Sequence, residues 1–242
     1  MEKVSAHSLG NTEVRVIITG CKTGVALMKD TYHKVYSIAA QNPPIPGCTI
    51  SGKILSGVQC FSLSQGTDIS AESYPVPVLQ YNLTGQTQLF DPDRQTRITA
   101  CAGELMVKPA GRNIGIIADE DSVYLEIALG KETHMNNAVK AGEIFQPKDL
   151  VPYQDGKIVN MDIASNGHMK FVVMAFDEGT GLSEHAAPGE AIVFALDGDG
   201  IIGYEGKEYP IKAGAQFHFA KGGLHSVKAS SRFKMALLLV LD

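Results

Sequence analysis

Apolar and polar residues alternate in short runs along most of the chain, which is the pattern of β-strands whose two faces meet different surroundings. Glycine, proline, aspartate and asparagine separate these runs and mark turns. In the second half, the pattern predicts strands at 171–176, 191–196, 200–204, 207–211, 216–219 and 234–241. Helical periodicity is nearly absent. The chain is therefore expected to form antiparallel barrels or sandwiches.

The second half of the chain repeats the first. At an offset of 113 residues, four residues of the first half coincide with identical residues of the second, namely Gly66, Thr67, Ser70 and Pro75 with Gly179, Thr180, Ser183 and Pro188. Further along, Gly103 and Gly111 coincide with Gly214 and Gly222 at an offset of 111. The change of offset predicts two extra residues in a hairpin loop of the first copy.

The repeat divides the chain into two barrels of ordinary domain size. We expect an N-terminal extension at 1–33, a first barrel at 34–130 and a second barrel at 131–242. Residues 14–18 are a candidate strand that covers a barrel edge.

Composition excludes several classes of partner. Of the 242 residues, 44% are hydrophobic and only 19% are charged, which is typical of a globular protein. The net charge of −5, with no cluster of lysine or arginine, argues against a nucleic-acid partner. No apolar run approaches the ~20 residues that a membrane span needs. The N-terminus lacks the pattern of a signal peptide, so cytoplasmic localisation is expected.

Two motifs in the second copy carry a family resemblance. The first is Gly179-x5-His185, and the second is Gly214-x7-Gly222-x2-His225. They resemble the two signature motifs of the cupin superfamily, and the sequence is also similar to uncharacterised bacterial proteins with a cupin-2 conserved barrel. The resemblance implies an all-β fold of two tandem cupin, jelly-roll-like, antiparallel β-barrels, which is called a bicupin. It also implies that the motif residues surround a divalent metal at a barrel mouth.

The second copy departs from the family's ligand set. His185 and His225 match the first and last metal histidines, whereas Ala187 and Ala191 replace the second histidine and the glutamate. Glu190 lies one residue out of register, and strand alternation turns it to the opposite face unless the backbone is distorted. The resemblance therefore leaves a candidate metal site of His185, His225 and Glu190, which would take Zn, Ni, Mn or Fe.

In the first copy, none of the family's ligands remains. Glu72, Tyr74, Val78 and Ile114 stand at the four ligand positions. We expect no metal there, because a divalent cation needs several converging donors. The first barrel is predicted to be structural.

Small side chains at two ligand positions of the second barrel predict a roomier, more apolar mouth that suits a small organic ligand. The expected pocket residues are His185, Ala187, Ala191, Phe194, Phe217, Phe219, His225 and Met235. The alternative is that the aromatic side chains fill this space. His218 alternates with Phe217 and Phe219, so it is expected to face away from them, on the surface.

Three functional hypotheses remain open. The leading one is a small-molecule-binding protein with a weak divalent metal site in the second barrel. The alternatives are a metal-dependent cupin oxygenase or isomerase, in which the metal acts as a Lewis acid, and a structural dimer without a ligand. The sequence assigns no catalytic residue. A homodimer is expected, because two-fold dimers are the commonest closed assemblies.

Overall fold

The computed structural model describes residues 33–241, and this part of the chain consists almost wholly of β-strands. It begins with strand β1 (Val35–Tyr36) and helix α1 (Ile38–Gln41). The next strands form the first barrel: β2 (Thr49–Leu55), β3 (Val58–Leu63), β4 (Asp68–Ser73), β5 (Val78–Thr84), β6 (Gln86–Asp91), β7 (Thr96–Cys101), β8 (Leu105–Lys108), β9 (Asn113–Ala118) and β10 (Ser122–Ala128).

A connection with short elements leads to the second barrel. It contains β11 (His134–Met135), β12 (Ile144–Phe145) and a 3₁₀ turn (Pro147–Asp149). The second barrel comprises β13 (Ile158–Ser165), β14 (Met169–Phe176), β15 (Gly181–Ala186), β16 (Glu190–Asp197), β17 (Asp199–Tyr204), β18 (Lys207–Lys212), β19 (Gln216–Phe219), β20 (Leu224–Ala229) and β21 (Phe233–Val240).

Each barrel is built from a long sheet and a short sheet, and the two barrels have the same topology. The long sheets run β12-β8-β5-β10-β3-β2 and β1-β19-β16-β21-β14-β13-β11. The short sheets run β4-β9-β6-β7 and β15-β20-β17-β18. Corresponding strands pair in the same order in both copies, and all of the strand pairs are antiparallel. The predicted two-barrel, all-β fold is confirmed.

The two extra residues of the first copy lie where the change of offset placed them. Four residues, 92–95, join β6 to β7, whereas two residues, 205–206, join β17 to β18. The predicted strands of the second half are confirmed within two residues at each end. The candidate strand at 14–18 lies outside the described residues.

One glycine of the repeat has a defined steric role in both barrels. Gly85 and Gly198 adopt φ of +71° and +70°, a backbone conformation that favours glycine. A Cβ at Gly85 would overlap the carbonyl oxygen of Asp121, and a Cβ at Gly198 would overlap that of Arg232. Both turns therefore need glycine for its conformation and for the close approach of a neighbouring chain segment.

The barrels exchange their short leading strands. β1, which precedes the first barrel, pairs with β19 of the second, and β12, which precedes the second barrel, pairs with β8 of the first. Beside β1, the backbone N–H of Ile38 donates to Oε1 of Gln216 over 2.8 Å. Each barrel thus covers an edge strand of the other.

The largest apolar cluster lies between the barrels. The outward faces of both long sheets pack into one core, with Leu79, Tyr81 and Leu125 from the first barrel and Phe171 and Leu238 from the second. Separate clusters fill the interiors of the two barrels. Among residues 33–241, no helix is long and apolar enough to cross a membrane.

Candidate functional site

The two motif histidines of the second barrel lie side by side. His185 on β15 and His225 on β20 are cross-strand partners, and their ring centroids are 4.2 Å apart. The register of this strand pair shifts between Leu182 and His185. We call this end of the second barrel the histidine mouth, defined by His185 and His225.

Main-chain carbonyls fix the tautomers of both rings. Nδ1 of His185 lies 2.8 Å from the carbonyl oxygen of Ser183, and Nδ1 of His225 lies 3.2 Å from that of Gly223. A carbonyl only accepts hydrogen bonds, so each Nδ1 carries the proton and donates. In each neutral ring, Nε2 is then left as an acceptor for another molecule.

The two rings have different surroundings. His225 is buried, and it stacks on Phe219 with the ring centroids 4.1 Å apart. Burial, as the largest cause, lowers the pKa of His225 below its ordinary value of 6.5, and the neighbouring His185 acts in the same direction, against the hydrogen bond to Gly223. His185 is exposed. The histidine mouth therefore combines a neutral, fixed imidazole with one that solvent reaches.

The apolar residues of the expected pocket belong mainly to the packed interior of the second barrel. Ala187 and Ala191 are buried in the same cluster as Phe217, Phe219 and Met235. The aromatic side chains occupy the space that the missing ligand side chains leave, as in the alternative from the sequence. A ligand at the histidine mouth would therefore rest above this core.

Two of the expected site residues face the wrong way. Ala191 points into the barrel, so strand alternation turns Glu190 and Phe194 to the outer face of the long sheet. Phe194 packs edge-on against Tyr81 of the first barrel, at 5.3 Å between ring centroids. Oε1 of Glu190 lies 3.7 Å from Nε2 of His218. The placement of Phe194 in the pocket and of Glu190 at the metal site was therefore wrong.

His218 also differs from its expectation. It faces away from Phe217 and Phe219, as alternation requires, but it is buried instead of lying on the surface. That face of the long sheet is covered, so a position that points out of the barrel is not exposed to water.

The residues at the histidine mouth do not fit the metal that the fold family implies. A stable site for a divalent transition metal needs about three or more protein ligands. Within residues 33–241, no group of three or more histidine, cysteine, aspartate or glutamate side chains is arranged to hold a metal. His185 and His225 supply two nitrogen donors, and the alanines at the other motif positions supply none.

The mouth of the first barrel carries chemistry that the motif comparison missed. Lys108 on β8 and Glu126 on β10 point inward and form an ion pair whose side chains are 4% and 10% exposed. Tyr74 lies beside this pair, with Nζ of Lys108 5.2 Å from its ring centroid. Its pKa is raised above the ordinary value, chiefly by burial and then by the charge of Glu126, so the phenol stays protonated.

A signal for this cluster is present in the sequence. In the repeat, Lys108 aligns with Phe219 and Glu126 aligns with Leu237, so a charge replaces an apolar residue at two inward positions. The motif comparison considered only the family's four ligand positions and therefore did not find the pair. A cavity of about 330 Å³ opens at this end of the first barrel, with Glu126 and Tyr74 in its wall.

Known proteins similar to this chain share its fold. A family model described as Cupin domain matches residues 172–241. The Cupin 2 conserved barrel domain protein from Leptotrichia buccalis is 26% identical, with 89% of this chain and 100% of that chain covered and a TM-score of 0.77. No match to a curated protein was found.

More distant structures show the fold alone. A putative glyoxylate-induced protein from Pseudomonas aeruginosa is 12% identical, with 96% of this chain and 97% of that chain covered and a TM-score of 0.57. Salicylate 1,2-dioxygenase from Pseudoaminobacter salicylatoxidans is 10% identical, with 85% and 75% covered and a TM-score of 0.56.

Proposed function

Since this chain belongs to the cupin superfamily, we propose that it is a small-molecule-binding protein whose ligand contacts His185 and His225 at the histidine mouth. The observation that carries this proposal is the pair of adjacent imidazoles, 4.2 Å apart, whose Nδ1 atoms both donate to main-chain carbonyls. Two hydrogen-bond acceptors on neighbouring strands suit a ligand with a hydroxyl or amino group.

The surroundings of the pair support an organic ligand. Among residues 33–241, Leu224 is the one large hydrophobic side chain that is exposed, at 45%, and it lies next to His225 in the chain. Below the pair, Phe219 stacks on His225 and closes the barrel. The histidine mouth therefore offers polar acceptors beside apolar surface, the mixture by which small ligands are oriented.

A metal-dependent oxygenase or isomerase is less well supported. Its metal would need donors at the positions of Ala187 and Ala191, and Glu190 lies on the opposite face of the sheet. The likeness to salicylate 1,2-dioxygenase carries no activity at 10% identity.

Metal analysis separates the binding and enzyme hypotheses. The full chain is purified without added metal or chelator, and its Zn, Ni, Mn and Fe contents are measured by elemental analysis. We expect each to be well below one atom per chain, because two imidazoles hold a divalent ion weakly. A stoichiometric metal that is lost in His225→Ala would overturn the proposal and favour the enzyme hypothesis.

Ligand contact is tested by NMR of the histidine rings. Ethanolamine, glycerol and phenol serve as probes at neutral pH, and the exposed His168 is the internal control. We expect at least one probe to shift the Cε1–H signals of His185 and His225 while the signal of His168 stays in place. If no probe moves the pair, the structural hypothesis replaces ligand binding.

A further inference from the structure

The interior of the first barrel contains a column of buried polar side chains. Asn82 donates to Oγ1 of Thr87 and to the carbonyl oxygen of Ala100, both over 2.8 Å, and Gln80 donates to Oδ1 of Asn82 over 3.0 Å. Gln80 and Glu126 are cross-strand partners, which continues the column to the ion pair at the mouth. This barrel therefore has polar groups from its centre to its open end.

The second barrel solves the same packing problem without charge. Lys108 and Phe219 occupy equivalent positions, as do Glu126 and Leu237, and the two copies share their strand order. A buried ion pair seldom stabilises a fold more than apolar residues of similar volume do, because both charges lose their hydration. Stability of the barrel alone does not account for Lys108 and Glu126.

Two atoms of the column also lack a partner. The hydroxyl of Tyr124 and Oε1 of Gln80 are buried and meet no hydrogen-bond partner within residues 33–241. Such groups are costly unless something satisfies them, and the great majority of buried polar groups in proteins are paired. A polar ligand, with the water it brings, accounts for this unmet hydrogen-bonding capacity.

The cavity at the open end shows what the ligand must be. Its volume of about 330 Å³ is near the lower limit for small-molecule pockets, so it suits a metabolite and not a polymer. Glu126 in the wall accepts hydrogen bonds, and Lys53, which is exposed, places a positive charge at the rim. The wall also includes Val76 and Val78, which contact a short carbon skeleton.

We propose that the first barrel is a separate binding site for a small carboxylate that carries a hydroxyl or amino group. The hydroxyl or amino group donates to Glu126 beside Tyr74, and the carboxylate faces Lys53. This site is independent of the histidine mouth and uses none of the family's metal-ligand positions as ligands.

Calorimetric titration of the full chain tests the ligand class. Glycerate and serine are the probes, and glycerol and propionate are the controls, because the first lacks the carboxylate and the second lacks the donor group. We expect glycerate or serine to bind at least tenfold more tightly than both controls. Lys53→Ala should weaken that binding at least fivefold, whereas Lys207→Ala, a change of an exposed lysine in the second barrel, should leave it unchanged.

A double variant separates binding from a structural role. Lys108→Phe with Glu126→Leu gives the first barrel the residues of the second, so we expect a melting temperature that is unchanged or raised and a complete loss of glycerate and serine binding. Equal affinity of the wild-type chain for all four probes would overturn the proposal. So would a double variant that binds as before, or one that melts at a markedly lower temperature and thereby shows that the pair is structural.

Discussion

At the scale of single residues, His225 couples the histidine mouth to stability. Its ring is buried on Phe219, and burial lowers its pKa in the folded state below 6.5. In the unfolded chain, the same ring takes up a proton near its ordinary pKa of about 6.5. Between these two pKa values the unfolded state binds more protons, so acid favours unfolding.

We therefore expect the free energy of unfolding to fall as the pH falls below about 6.5, and to stop falling, for this residue's part, below the folded pKa of His225. Urea unfolding of the wild type and of His225→Gln at about pH 7.5 and pH 5 measures the effect, which is about 1.4 kcal/mol for each unit by which the pKa is lowered. The variant should lose less stability on acidification. Parallel losses in the two proteins would show that His225 titrates normally.

Sequence placed some of these residues well and others badly. The spacing of the two motifs brought His185 and His225 together, and the structure pairs them. Glu190 and Phe194 were misplaced because each lies an odd number of residues from Ala191, which points inward. Burial of His218 was not predictable, because one strand's alternation does not show what covers its outer face.

At the scale of elements, two turns of the second barrel should respond differently to the same change. Gly198 and Gly206 both have positive φ, of +70° and +73°. A Cβ would overlap the carbonyl oxygen of Arg232 at Gly198, but it meets nothing within 4 Å at Gly206. The pair therefore separates steric overlap from backbone strain.

We expect Gly206→Ala to cost about 1 kcal/mol, because only the left-handed conformation is penalised. Gly198→Ala should cost about 3 kcal/mol or more, since a neighbouring chain segment must also move. Urea unfolding of both variants measures the difference. Equal costs would mean that the segment at Arg232 yields to the added methyl group.

The strands were more predictable than their neighbours. Long alternating runs such as β14, β16 and β21 have enough residues to define two faces, and they were found within two residues. β1 and β12 have two residues each, so they carry no alternation, and their pairing depends on how the barrels meet. The exchange of these strands is therefore a property of the assembled molecule.

At the scale of the whole molecule, two features connect the barrels. One is the reciprocal pairing of β1 with β19 and of β12 with β8. The other is the shared apolar core between the long sheets, in which Phe194 contacts Tyr81. Separation of the barrels would expose this core to water, which costs roughly 25 cal/mol for each Å² of apolar surface. The barrels should therefore unfold together.

Phe194→Ala tests this coupling, because the side chain is 1% exposed and lies between the barrels although its strand belongs to the second. We expect a loss of about 3–5 kcal/mol, a single calorimetric transition at a lower temperature, and faster amide exchange in β5 and β10 of the first barrel. The matched control is Phe217→Ala, at a residue buried inside the second barrel, which should at first speed exchange mainly in β16 and β19. Two separate transitions, or faster exchange confined to the second barrel in Phe194→Ala, would show that the barrels are independent.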